Sequence, residues 1–223
     1  TTAIPLAMSG TLAPASPTCT IAANKDSCDV NLDWTIKNPK GATTAVTYAP
    51  SGSITVSSSI TPASQSGTKS VTVSYNKRTF YLFNNAQQLA SVTATSTCAS
   101  DTTWDDFVCA PNTVPTVISP TATNIAATSA TLGANVTSAG NPPPVTARGV
   151  CFATSSSVSL SPLTNGVDCF TAGTGTGVFT VNVDLLDTDT TYYYRGYARN
   201  SYGTGYSPNA TFKTAIPLAM SGT

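Results

Sequence analysis

At 223 residues the chain has room for two domains of ordinary size, and 40 Thr and 26 Ser set against no Glu and no His describe a strand-rich protein rather than a helical one. Ten basic and ten acidic residues, the acids all Asp, give zero net charge without a basic run, so the electrostatic footprint of a nucleic-acid binder is missing. Without His, the usual Ser-His-Asp, Cys-His and HExxH sites are excluded; no catalytic residue, metal or cofactor is expected, and the chain reads as a non-enzyme with no apolar run of the roughly 20 residues that span a bilayer.

The first element is a word that returns. "TAIPLAMSGT" stands at residues 2–11 and again, identical in all ten positions, at 214–223, an offset of 212 residues. Repeats of this kind mark linear arrays. Residues 1–11 and 214–223 are therefore read as the joint between successive repeats. Within it Ile4, Leu6 and Met8, like Ile216, Leu218 and Met220, alternate and offer an apolar face, while Pro5 and Pro217 limit ladder pairing. The expected partner is another copy of the chain, head to tail. A covalent tandem array and a polymer of separate subunits that exchange identical terminal strands both fit.

Residues 12–112 read as a first β-sandwich. In "CDVNLDWTIKN", Val30, Leu32, Trp34 and Ile36 alternate with polar residues, the period of a strand with one dry face, and Trp34 is placed at the centre of the core. "SVTVSY" at 70–75 and "TFYLFNNAQQLASVTAT" at 79–95 continue the alternation, the second broken into a hairpin at Asn84 and Asn85. The closing stretch, "CASDTTWDDFVCAPN" at 98–112, is a small cysteine-bounded loop, and the prolines that follow place the domain junction near 112.

Six cysteines without a CxxC pair favour disulfides over zinc. Three local bridges are the economical choice among the connectivities: Cys19 with Cys28, Cys98 with Cys109, and Cys151 with Cys169. Loops of this size contribute about 3 kcal/mol each by restricting the unfolded chain. They persist in oxidising surroundings, so an extracellular or cell-surface location is expected.

Residues 113–213 carry a family resemblance. Leu186, Tyr192 six positions on, and the alternating run through Tyr194 and Ala198 to "NSYGTGY" resemble the E–F corner and the F and G strands of a fibronectin type III domain; "SATLGANV" and "ARGVCFATS" are similar to its B and C strands, in the form met in repetitive bacterial surface proteins. The chain departs from that pattern at Thr188 and Asp189, where the family often has Pro-Gly, and in the added pair Cys151 and Cys169. The resemblance implies a structural Tyr192 whose hydroxyl bonds nearby backbone. The first half loosely resembles bacterial immunoglobulin-like domains. The fold class is thus all-β: two tandem sandwiches with local disulfides.

Asp184, Asp187 and Asp189, and Asp101, Asp105 and Asp106 beside Trp104, lack the spacing of a calcium loop and read as solvated acids. "AGTGTG" at 172–177 precedes a strand instead of opening a helix and reads as a flexible loop, not a phosphate cradle. Alternation sends Tyr193, Arg195, Tyr197 and Arg199 to the outer face of one strand, a surface suited to glycans or a partner, with cross-strand packing as the plainer reading. The expected role is a structural repeat unit of an extracellular filament, stalk or giant surface protein. The alternatives are an adhesin or carbohydrate-binding module and an accessory region of a secreted enzyme.

Overall fold

A computed structural model describes residues 6–40, 44–47, 55–57, 64–156, 159 and 167–217. The chain divides into two compact units, Thr1–Pro111 and Asn112–Thr223, and every regular element among the described residues is a strand.

In the first unit β1 (Ser9–Ala13), β3 (Ser27–Lys37) and β6 (Ser64–Ser74) form one sheet, in the order β1-β3-β6. The facing sheet holds β2 (Thr18–Ile21), β4 (Thr44–Thr47), β5 (Thr55–Ser57), β7 (Asn76–Asn84) and β8 (Gln87–Cys98) in the order β2-β8-β7-β4-β5. Pairing is antiparallel except where β2 runs parallel to β8. Period-two alternation does the sorting: Val30, Leu32, Trp34 and Ile36 turn inward from β3 and meet Phe80 and Leu82 of β7 and Val92 and Ala94 of β8, while Asn31, Asp33, Thr35 and Lys37 face water. The wet face is laced by short polar pairs, such as the Thr72 hydroxyl donating to Asp29 at 2.7 Å.

The first strand begins earlier than residue 12. Ser9 already pairs with Lys37, and Gly10 sits so close to Leu82 and Leu89 that a Cβ there would come within 3.0 Å of them. The last three residues of the first "TAIPLAMSGT" therefore belong to the sandwich. At the other end of the unit, β9 (Thr102–Trp104) and β10 (Cys109–Pro111) make a small separate hairpin. Cys19–Cys28 ties β2 to β3 across the two sheets, and Cys98–Cys109 ties β8 to β10.

In the second unit β11 (Thr116–Thr123), β12 (Ala130–Ser138) and β15 (Gly177–Val183) form a three-stranded sheet in that spatial order. Against it lies a sheet of β14 (Asp168–Thr171), β13 (Ala147–Ala153), β16 (Thr191–Arg199) and β17 (Thr204–Tyr206), with β18 (Ala210–Lys213) also paired to β16. The core packs Leu132, Val136, Val150, Phe179, Tyr194 and Phe212 between the sheets. Cys151 and Cys169 stand directly opposite each other on β13 and β14 and are bonded. Both units are thus immunoglobulin/fibronectin type III-like sandwiches, and all three bridges are local.

Candidate functional site

Three places in the sequence carry candidate functional residues: the outer face of β16, the Asp-rich turns, and the repeated "TAIPLAMSGT". On β16 the alternation is as expected, with Tyr192 and Tyr194 turned into the core. The outer face is packed across strands, the plainer of its two readings, rather than an open ladder. Tyr197 is only 5% exposed, packed with the Cys151–Cys169 bridge, Tyr193 and Tyr206 into a second apolar cluster. The guanidinium of Arg195 lies 3.7 Å from the ring centroid of Tyr206. Burial lowers the pKa of Arg195 and raises that of Tyr197. The cause is β17: it places Tyr206 opposite Tyr197 and roofs the middle of the face. Arg199 is the one member of the four left exposed.

In the Asp-rich turns the acids have structural partners. Asp105 accepts the amides of Val108 at 2.9 Å and Phe107 at 3.0 Å, and these donors, Val108 first, hold its carboxyl below the ordinary range. Beside this turn the rings of Trp104 and Tyr75 stack at 4.3 Å. Asp189 pairs with Lys213 at 2.5 Å. Among the described residues no three acidic or sulfur side chains converge to hold a metal.

The glycine loop is tied down rather than loose. Arg148 donates from one guanidinium nitrogen to the carbonyls of Thr176 at 2.8 Å, Gly175 at 3.3 Å and Gly177 at 3.3 Å. Gly173, Gly175 and Gly177 all take left-handed φ there, which glycine adopts without strain.

The two copies of the repeated word are each anchored in a different unit. In the second copy, Thr214 donates its hydroxyl to the Asp187 carbonyl at 2.7 Å and accepts the Thr190 amide at 2.9 Å. Ala215 follows, its N–H bonded to the Ala126 carbonyl at 3.0 Å. Asp187 is itself held by Tyr192, whose hydroxyl accepts the Asp187 amide at 2.8 Å, the structural role that the corner tyrosine was assigned. In the first copy, the Ala7 carbonyl accepts the Asn38 side-chain amide at 3.0 Å, Met8 packs on the first core, and Ser9, Gly10 and Thr11 are strand. Between these anchors the aliphatic positions are bare: Leu6 is 74% and Ile216 71% exposed, with Pro217 exposed beside it. Ile4, Pro5, Leu218 and Met220 lie outside the described residues. The polar anchors are not legible in the sequence, because one Thr among 40 carries no signal on its own; the identity of the two copies is the signal.

No protein-family model matches the chain, and no curated protein matches it. Solved structures similar to it include domains A168–A170 of titin, at 14% identity and a TM-score of 0.38 over 94% of this chain and 66% of that one. A fibronectin type III domain of human fibronectin type III domain containing protein 3 is similar at 18% identity and a TM-score of 0.33, over 50% of this chain and 94% of that one. The sensor domain of the anti-sigma factor RsgI4 of Pseudobacteroides cellulosolvens is similar at 20% identity and 0.34, over 47% and 98%. The assignment of both units rests on their own sheets and on the corner tyrosine.

Proposed function

We propose that the chain is the structural repeat of an extracellular filament, stalk or giant surface protein, in which "TAIPLAMSGT" joins the second sandwich of one repeat to the first sandwich of the next. One observation carries this reading. The opening residues of the word, as Thr214 and Ala215, close the second sandwich, and its closing residues, as Ser9, Gly10 and Thr11, open the first. A single copy thus contains the end of one domain and the start of another. Three local disulfides suit an oxidising, extracellular setting, and a composition without His or Glu suits a mechanical rather than a catalytic role.

The mass of the native protein after reduction and full denaturation tests it. A species many times 22.7 kDa is expected, the mark of a covalent array. A species near that mass would replace the covalent joint with a non-covalent exchange of terminal strands. A monomer of that mass in native solution as well would remove the filament reading.

A further inference from the structure

The two sandwich ends that the joint would bring together carry opposite charge. At the trailing end of the second unit, where Thr214 and Ala215 are anchored, stand Asp168, Asp184, Asp187 and Asp189, against which Lys213 is the lone base among the described residues; it is taken by Asp189. At the leading end of the first unit, where Ser9 is anchored, Lys37 pairs opposite Ser9, and Lys40 donates its amide to the Asn84 side chain at 2.9 Å. Both lysines are exposed. Among the described residues no acid shares that end: Asp33, the nearest on β3, pairs four positions along, opposite Ala13.

The trailing end also shows an apolar residue in a costly posture. Leu185 is 98% exposed and holds φ at 59°, a left-handed backbone that L residues other than Asn and Asp seldom take. It borders an open cleft of about 370 Å³ lined by Phe152, Phe170, Asp168, Asp184 and Asp187. Among the described residues, no part of its own sandwich covers that side chain.

We infer that this trailing end is a docking surface for the leading end of the first sandwich of the next copy of the chain, with Asp184 and Asp187 set against Lys37 and Lys40, and Leu185, Ile216 and Leu6 sharing one apolar seam. The inference rests on the repeat reading. Its physical ground is reach: in a tandem joint Ala215 and the residue equivalent to Ala7 are four steps apart, so the anchors lie within about 14 Å. At full stretch that separation exceeds the screening length of about 8 Å at physiological salt, so the two charged ends attract each other in those arrangements of the short tether that bring them closer than its full reach. Each contact is individually weak, but the tether makes the encounter intramolecular, which raises the effective concentration to the millimolar range.

The test is a protein of two complete repeats sharing one joint, treated with a carbodiimide that links lysine to carboxylate without a spacer. Expected are links from Lys37 or Lys40 to Asp168, Asp184 or Asp187 across the joint, and none from Lys25. Yield should fall about five-fold in 1 M salt, where the screening length shrinks to about 3 Å. Reversing one end (Asp184→Lys with Asp187→Lys) should abolish the links to those two positions and weaken any to Asp168. Reversing both ends, with Lys37→Asp and Lys40→Asp added, should restore links of inverted polarity. Absence of links across the joint in the wild-type pair, or equal yield from Lys25, overturns the docking surface. That result leaves the repeat reading standing, because the mass of the native chain decides it separately.

Discussion

The Tyr192 hydroxyl accepts the amide of Asp187 at 2.8 Å, and the carbonyl of the same Asp187 accepts the hydroxyl of Thr214. One residue of the corner thus couples the core tyrosine to the first residue of the repeated word. Tyr192→Phe leaves a part-buried amide without its acceptor and should cost about 1–2 kcal/mol; Thr214→Val should cost a similar amount. Because both act through Asp187, the double variant should cost less than the sum. Tryptophan fluorescence reports the first unit alone, since Trp34 and Trp104, the two tryptophans of the chain, both lie there, while six of the nine tyrosines lie in the second. Denaturant unfolding followed by tyrosine absorbance or circular dichroism should shift, while the tryptophan fluorescence transition stays in place.

In the first unit the sensitive spot is Gly67. A Cβ built there would lie 2.8 Å from Cζ2 of Trp34, whose ring is 2% exposed and has no room to retreat. Gly67→Ala should cost about 1–3 kcal/mol, the range of overpacked cores, with a change in tryptophan emission. Ser66→Ala, on the exposed side of the same strand, should be near neutral. Equal effects at both positions would mean that the glycine is not required by the ring.

The β7–β8 hairpin contains an opportunity for stabilisation. Asn85 and Ala86 form its two-residue turn with φ of 47° and 61°, the left-handed pair that suits Asn-Gly and penalises alanine. Ala86→Gly should therefore raise the stability of the first unit by about 1 kcal/mol, in spite of glycine's greater freedom in the unfolded chain. A loss of stability would show that the turn takes another form in solution.

Much of this was open to a reader of the sequence, for reasons tied to particular residues. The strand 28–38 shows its dry face because Val30, Leu32, Trp34 and Ile36 recur at the pleat period. The cysteines are legible because each pair is close in sequence, and Tyr192 because its spacing from Leu186 is a corner. The burial of Tyr197 was not legible, since alternation assigns a face but not what covers it, and the cover comes from Tyr206 on a later strand. Nor was the anchoring of the glycine loop by Arg148, a contact that spans some 28 positions of chain. Local period is written in sequence; long-range roofing is not.

Acid should loosen the small hairpin first. Asp105 has a folded-state carboxyl pKa below its ordinary 3.8, so its contribution is present above that value and is lost as the pH falls through the folded one. Amide exchange at Phe107 and Val108 should accelerate below about pH 4, while between about pH 5 and 8 stability should be flat because no His or Glu titrates there. Asp105→Asn keeps an acceptor oxygen without the ionisation. Its two amides should exchange independently of carboxyl titration; a persistent acid step there would assign the effect to another group.

Leu185 distinguishes the needs of a lone sandwich from those of the proposed array. Its left-handed backbone costs a leucine about 1 kcal/mol or more, and Asn tolerates the same φ through local hydrogen bonding. If the exposed side chain had only its own domain to serve, Leu185→Asn would be an improvement in every setting. The single chain should indeed gain about 1 kcal/mol in unfolding of the second unit, read by tyrosine absorbance. In the two-repeat protein the same change removes the apolar member of the seam, so the lysine–aspartate links across the joint should decline while the domain itself becomes more stable. Opposite signs in the two measurements are the expected result. Stability gained with cross-linking unchanged would leave the charges without help from Leu185, and stability lost in the single chain would show that Leu185 is held by its own sandwich after all.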